Sequence, residues 1–302
     1  MTSERVVVAG QLARDLVLLV DDMPEAGTSA DARLRREMLG GKGANQAVAL
    51  AQLGAAPALV AVRGDDLIGD ELVAQARRDG IDVSAVVCRA GTLTGLIVEA
   101  LDSDGNWRYL QHLPEPMLLT ADDVAAAEPV FHGAQAVLVQ LQQPGAAALA
   151  AARLGRAQGA LVVLDGAPGD DADRDALLAA ADVVRTDDTE TELLTGLPAK
   201  DPAALRDAVR RLTGPRLYAL GLPDANYFVW PDGELLIPLG DARVVDTTGG
   251  GDAFTAALTV ALLRGCPPQA AARYAVAASA ATVGHPGGRP DLTDLGPVPA
   301  DC

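Results

Sequence analysis

Six short β-rich apolar runs alternate with amphipathic stretches along this chain, and no other feature limits its fold so strongly. The runs are RVVVAG from Arg5, ALVAV from Ala58, AVLVQL from Ala136, ALVVLD from Ala160, DVVRT from Asp182 and RLYAL from Arg216. Helical patterns lie between them at residues 44–53, 67–78, 146–157 and 202–212. Strands alternating with helices predict an α/β fold: a central, mostly parallel sheet with helices on both faces.

Two segments break the alternation. Residues 28–39 are polar and charged with interspersed apolar positions, and residues 94–110, TGLIVEALDSDGNWRYL, read as strand, Asp-Gly turn, strand. Neither is set off by the crossover helix that a parallel pairing needs, so both are expected in a small sheet standing off the main one. No internal repeat, linker or low-complexity tract divides the 302 residues, which are expected to form one main domain with this accessory. The acidic run at 170–175 is expected to be a solvated loop and helix start.

Charge excludes whole classes of function. Forty-one acidic against 24 basic residues give a formal charge of -17, which repels a polyphosphate backbone and offers anionic lipids nothing. No nucleic-acid or membrane role is expected. Glu4, Arg5, Arg14 and Asp15 interrupt any signal-like apolar stretch, so the protein is expected in the cytoplasm. Cys88, Cys266 and Cys302 are scattered without a C-x-x-C pair, predicting neither a disulfide framework nor a zinc site. His112, His132 and His285 sit in no ligand spacing.

Glycine clusters carry the chemistry. DTTGGGDAFTAALTVALLRG, from Asp246, places a short strand, Val244 and Val245, before three glycines and an apolar helix after them. A helix N-terminus has unpaired N–H groups and about half a positive charge, which glycines leave open to an anion. Two readings stand at this point: an anion hole, or a plain loop with Asp252 as a first-turn acid favoured by the macrodipole. Neither G-x-x-x-x-G-K-[ST] nor G-x-G-x-x-G is present, because Lys42 is followed by glycine and Phe254 occupies the last glycine position. GGKGANQAVALAQLG, from Gly40, again sets glycines before a helix. Lys42, one of only two lysines, and Asn45 stand at its mouth, where a cation and an amide suit a polyhydroxylated or anionic ligand. The plainer reading is a turn with Asn45 as helix cap.

The two motifs together resemble the paired signatures of the ribokinase-like (PfkB) family of sugar kinases. GGKGANQA resembles the N-terminal signature in its ribokinase form, and DTTGGGDAF the C-terminal one. The likeness runs in order through GDDLIGDEL from Gly64 and TETELLTG from Thr189 to GGRP from Gly287. It implies a ribokinase-like fold with a β lid over the sugar, formed by insertions at about 28–39 and 94–110, that often builds a homodimer. It implies that Asp252 is the base accepting the proton of the attacking hydroxyl, and that Gly249, Gly250 and Gly251 stabilise the transferring phosphoryl of ATP. Magnesium would bridge the phosphates. By the same likeness Asp15, Gly41, Lys42, Asn45 and Gln142 fall at sugar positions, Asp187, Glu190 and Gly221 at nucleotide positions, and Asp246 with the Thr248 carbonyl at a potassium site near HPGGRP. Glu190 would act on magnesium indirectly. Asp252, in a first helical turn, is expected to have a depressed pKa.

Departures from the family pattern bear on substrate. Ala13 replaces asparagine in the first sugar loop, Gln142 replaces a sugar-binding glutamate, and Asp187 replaces the asparagine of N-x-x-E. The nucleotide loop, ALGLPDA from Ala219, keeps Gly221 but loses a threonine and a second glycine. The resemblance implies phosphorylation of a primary hydroxyl of ribose or a related pentose or ketohexose. Two rivals remain: a kinase-derived sugar or nucleotide sensor without turnover, and a nucleoside kinase with a base over Trp107 and Tyr109, which otherwise pack the lid.

Overall fold

The computed structural model describes residues 3–169, 173–240, 245–284 and 287–298. Its strands, in chain order, are β1 (Arg5–Ala9), β2 (Ala13–Leu19), β3 (Leu34–Gly40), β4 (Ala56–Gly64), β5 (Val86–Arg89), β6 (Leu96–Leu101), β7 (Trp107–His112), β8 (Ala136–Gln140), β9 (Leu161–Asp165), β10 (Val183–Thr186), β11 (Leu217–Gly221), β12 (Ala225–Trp230) and β13 (Gly233–Pro238). Nine of them form one sheet in the order β13-β12-β11-β10-β9-β8-β1-β4-β5. The six runs read from the sequence are its six contiguous central strands, all parallel. Their apolar character on both faces follows from cover on both sides. Val6 and Val8 of β1 enter one core with the helices Lys42–Gln52, Leu67–Arg78, Gly250–Leu263 and Pro268–Thr282. Val7 and Ala9 enter the other with Ala121–Ala126, Gly145–Ala157, Arg174–Ala180 and Pro202–Val209.

Edge strands were not legible in the pattern. β5 is four residues, three half-buried and Cys88 exposed, and β12 and β13 form an antiparallel hairpin at the other edge. A second, four-stranded sheet has the order β3-β2-β6-β7. It takes in Ala13–Leu19 as well as strands from the two departing segments, and its central pair, β2 and β6, is parallel. This corrects the expectation of purely hairpin-like pairing: the crossover that such a pair needs runs through β4 and β5 of the large sheet. The Asp104-Gly105 turn joins β6 to β7, with Gly105 at φ 84°.

Helix starts follow local chemistry. Asp66 accepts from the Gly69 N–H, and Asp201 from the Ala203 and Ala204 N–H groups behind Pro202, satisfying donors a first turn leaves free. The Lys42–Gln52 helix instead begins on Gly41, at φ 85°, without a side-chain cap.

Three expectations need correction or fall outside the described residues. The strand expected at Val244 and Val245 falls at the edge of them: Val244 lies outside, and Val245 sits in a bend. The acidic run is described only from Asp173, with its helix starting at Arg174. Cys88 is an exposed free thiol, whereas Cys266 is disulfide-bonded, because spacing along a chain does not reveal which sulfurs folding brings together. Among the described residues no helix is long and apolar enough to cross a membrane, and no group of three His, Cys, Asp or Glu could hold a metal.

One close contact sets how the first glycine-led helix seats on the sheet. A Cβ at Gly43 would lie 2.7 Å from the carbonyl carbon of Gly10, just beyond β1, and the Ala44 N–H donates to Gln11 O at 3.0 Å. Backbone cannot yield as a side-chain tip does. Gly43→Ala is expected to cost about 1–3 kcal/mol in a denaturant titration, the range for overpacking a tight interior.

Candidate active site

The carboxyl ends of the parallel strands open into a cavity of about 680 Å³, bounded on its far side by β6 and β7 of the small sheet. Crevices outside the strand ends, where connections leave β1 in opposite directions, are the usual ligand positions of open α/β sheets. Both glycine-led helices start at this cavity, and its lining includes Asp15, Gly41, Lys42, Asn45, Gln142, Asp187, Gly249, Gly251 and Asp252.

Side chains from both motifs meet at Asp252, which is 5% exposed. Asn45 Nδ2 donates to Asp252 Oδ2 at 3.2 Å, across 207 positions of sequence. The neighbouring Gln46 Nε2 reaches Asp252 Oδ1 at 3.3 Å and Asp165 Oδ2 at 2.8 Å. Asp165, ending β9, also accepts from Thr255 Oγ1 and from Arg185 Nη1, each at 3.1 Å. Asn45 is therefore a partner of Asp252 and caps no helix: the Lys42–Gln52 N-cap is Gly41.

Electrostatics reverse one expectation. Burial, then the charge of Asp165, push the Asp252 carboxyl up to about 7 despite the opposing pull of Lys42, Asn45 and Arg185. A helix N-terminus is worth at most about 2 kcal/mol to a partly buried carboxylate, and desolvation beside a second carboxylate outweighs it. Asp15 behaves alike: burial, then Asp252, push it up to about 7 against the Gly41 N–H. Its Oδ1 has no hydrogen-bond partner, and a Cβ at Gly40 would overlap its carboxyl group. Burial pulls the Lys42 ammonium down, but Asp165, Glu190 and Asp252 outweigh it and hold Lys42 above its ordinary value. Its Nζ lies 3.9 Å from Glu190 Oε1.

The three glycines differ in what they allow. Gly249 is the N-cap of the Gly250–Leu263 helix at φ 74°, with no side-chain cap over the first turn, and a Cβ there would strike the Gly288 carbonyl. A Cβ at Gly250 would lie 2.7 Å from Val283 Cγ1, and one at Gly251 2.5 Å from the Arg185 guanidinium. Below them Asp246, 1% exposed, accepts from the Thr248 N–H at 2.8 Å and the Gly287 N–H at 2.6 Å. Of HPGGRP, His285 and Pro286 lie outside the described residues.

At the nucleotide positions the geometry is local. Asp187 and Glu190 form a capping box: Asp187 Oδ1 accepts from the Glu190 N–H at 2.7 Å and Glu190 Oε2 from the Asp187 N–H at 2.9 Å. Glu190 Oε1 remains directed toward Lys42. Gly221 does not line the cavity; a Cβ there would lie 2.8 Å from the Asp187 backbone. Gln142 lines the cavity and accepts from Gln140 Nε2 at 3.0 Å, whereas Ala13 is fully buried and does not reach it.

Sequence reasoning did not single out Gln46, Asp165, Arg185 or Glu99. A charged residue at the carboxyl end of an otherwise apolar run, as in ALVVLD and DVVRT, is the signal that marks Asp165 and Arg185. Glu99 sits in β6, 3% exposed, and accepts from Tyr109 Oη and Thr248 Oγ1, each at 3.3 Å. Tyr109 Oη also bonds Thr248 Oγ1, so the small sheet is fastened to the glycine turn. Burial, then Asp246, push Glu99 up to about 8. Trp107 and Tyr109 pack together with ring centroids 4.6 Å apart.

A model of the pfkB family of carbohydrate kinases matches residues 3–295. The chain belongs to this family. It is a carbohydrate kinase of the ribokinase-like type, a phosphotransferase with an alcohol group as acceptor. It is 30% identical to the ribokinase of Arabidopsis thaliana over 95% of this chain and 78% of that protein. It is 32% identical to fructokinase-1 of Zea mays over 80% of this chain and 79% of that one. The solved structure of the Arabidopsis ribokinase complexed with ribose and ATP superposes with a TM-score of 0.80 at 27% identity, covering 97% of this chain and 98% of that one.

The site arrangement predicts an unusual titration. Followed by carboxyl ¹³C NMR, Asp252 is expected to ionise near 7. Lys42→Met should move that midpoint upward, since Lys42 favours the charged form, and Asp165→Asn should move it downward by removing a like charge.

Proposed function

We propose that this kinase transfers the γ-phosphoryl of ATP to a primary hydroxyl of a sugar, ribose or a related pentose or ketohexose, with Asp252 as the base. The observation that carries the reading is the buried Asp252 carboxylate, held by the Asn45 and Gln46 amides at the uncapped start of a glycine-led helix, in the cavity that Asp15 also lines. The named relatives, a ribokinase and a fructokinase, support a pentose or ketohexose acceptor.

The chemistry follows from the placement. A sugar hydroxyl beside Asp252 gives its proton to the carboxylate as its oxygen forms a bond to phosphorus and the bond from phosphorus to the ADP oxygen breaks. A carboxyl near 7 is a better proton acceptor than an ordinary aspartate and is still substantially ionised at neutral pH. The backbone N–H groups of Gly249 and Gly251, which line the cavity, meet the developing phosphoryl charge, where preorganised donors cost no reorganisation, whereas Gly250 does not line it and donates its N–H to Thr247 O at 3.4 Å. Asp15 Oδ1 and Asn45 Oδ1, both buried without a partner, are acceptors suited to sugar hydroxyls. Gln142 lines the same space.

Five carboxyl groups line the cavity, Asp15, Glu99, Asp187, Asp188 and Asp252, of which Asp15 and Asp252 are pushed up to about 7 and Glu99 to about 8, against two cations, Lys42 and Arg185, so a polyphosphate gains from a metal that adds positive charge. Asp187, which lines the cavity, and Glu190, acting through water beside Lys42, would hold magnesium, and the ion would supply charge that neutralises the phosphates. Asp246, whose oxygens already accept the Thr248 and Gly287 N–H groups, and the Thr248 carbonyl would hold potassium below the glycine turn. The small sheet serves as the lid, through which two copies pair, and the enzyme works in the cytoplasm.

A coupled assay of ADP release over sugars and nucleosides, with and without potassium, tests this reading. Turnover of nucleosides alone would replace it by a nucleoside kinase, and sugar binding without turnover by a sensor. Asp252→Asn is expected to retain fold and sugar binding while lowering kcat by about 10²-fold or more, and wild-type kcat/KM should rise with pH and level off above about 7. Full activity in that variant would remove Asp252 from the mechanism. Gln142→Glu is expected to raise ribose kcat/KM about fivefold, the worth of roughly 1 kcal/mol from a stronger acceptor. No change across a panel of pentoses and ketohexoses would show that Gln142 does not touch the acceptor.

A further inference from the structure

Arg185 breaks the rule of its strand. β10 reads VVRT between two parallel neighbours, yet the Arg185 side chain, 16% exposed, runs to the cavity wall. There it packs directly on Gly251: the position a Cβ would take is 2.5 Å from Nη2 and 3.0 Å from Nη1. A guanidinium carries five N–H donors. Among the described residues only one side-chain hydrogen bond engages them, from Nη1 to Asp165 Oδ1 at 3.1 Å. Nη2 is not enclosed without a partner, since the buried unpaired atoms do not include it. The guanidinium carbon also sits 5.8 Å from the Phe254 ring centroid, so Asp165 and Phe254 fix the fork from two sides.

Burial lowers the proton affinity of Arg185, but Asp165, Glu190 and Asp252 outweigh it and hold the group firmly charged. Apart from Lys42, it is the one cation in the described lining. A fixed cation touching the last glycine of an anion-binding turn, with donors to spare, has the geometry that planar recognition of phosphate oxygens requires.

We propose that Arg185 is a catalytic residue that holds non-bridging oxygens of the phosphoryl group while it passes from ADP oxygen to sugar oxygen, with Asp165 as its positioning residue. The proposal rests on the kinase reading above. It gives Gly251 a second reason to be glycine, since any side chain there would displace the guanidinium.

The competing role is structural: Arg185 as no more than the counter-ion of Asp165. Removing Arg185 alone would leave a buried carboxylate uncompensated, so the informative variant is Arg185→Gln with Asp165→Asn, which neutralises both. Calorimetric titrations with Mg²⁺ and either ADP or the β,γ-imido analogue of ATP separate the two roles. The double variant is expected to bind the imido analogue at least about 10-fold more weakly while its ADP affinity changes less than about threefold, and to lose about 10²-fold in kcat with the sugar KM nearly unchanged. Analogue affinity and kcat both at wild-type level would overturn the proposal and leave Arg185 a counter-ion. Should the double variant not fold, Arg185→Lys decides, because it keeps the charge and loses the fork. A tenfold or larger fall in kcat at unchanged Tm supports the proposal, and a wild-type rate overturns it. Wild-type protein that binds neither nucleotide would overturn the kinase reading itself, and this inference with it.

Discussion

Asp252 lies almost wholly out of water at the start of an apolar helix, beside a second buried carboxylate, Asp165. Two anions so placed repel each other and forgo hydration, and neither is tolerable unless donors are supplied from elsewhere. The donors come from the opposite end of the chain, as the side-chain amides of Asn45 and Gln46, and from Arg185 and Thr255. Much of the architecture serves that meeting. The Lys42–Gln52 helix must come close enough to β1 for its amides to reach across, and the bare backbone contact between Gly10 and Gly43 permits it. It must also pack on the Gly250–Leu263 helix, whose Ala253, Ala256 and Ala257 are fully buried in the same core as Ala44, Ala47 and Val48.

The same cluster links the two sheets. Glu99 and Tyr109, on strands of the small sheet, bond Thr248, one residue before the N-cap of the glycine-led helix. Thr248 is bonded in turn to Asp246, which holds Gly287. A movement of the small sheet therefore bears on the turn that presents the first-turn N–H groups. Hydrogen bonds of this kind, made inside a dry site, couple parts that have no chain continuity.

Legibility of the fold tracked burial. The six central strands were readable because sheet cover on both faces leaves most of their positions apolar, and helices such as Leu67–Arg78 because one apolar face repeats at the helical period. β5 and β13 carry mixed patterns, since an edge faces water on one side. The parallel pairing of β2 with β6 was hidden for another reason: strands paired at an offset of 82 positions, as Asp15 is with Ile97, leave no local mark of who their neighbour is. Among the site residues, Lys42, Asn45 and Asp252 belong to short motifs, and Asp15 was placed there by the family resemblance, whereas Asp165, Arg185 and Glu99 belong to strands whose other residues give no sign of a site.

What the sequence by itself determined was the class of fold, the two glycine-led helix starts and the carbohydrate-kinase resemblance, because each depends on local spacing. Tertiary structure alone decided the charge state of the site. Taken locally, a first-turn aspartate is favoured as an anion by the helix dipole. In the folded chain Asp252 is pushed up to about 7, because burial and the facing Asp165 outweigh that dipole. Desolvation and the approach of a charge from another strand are properties of three-dimensional neighbours, and no one-dimensional pattern carries them.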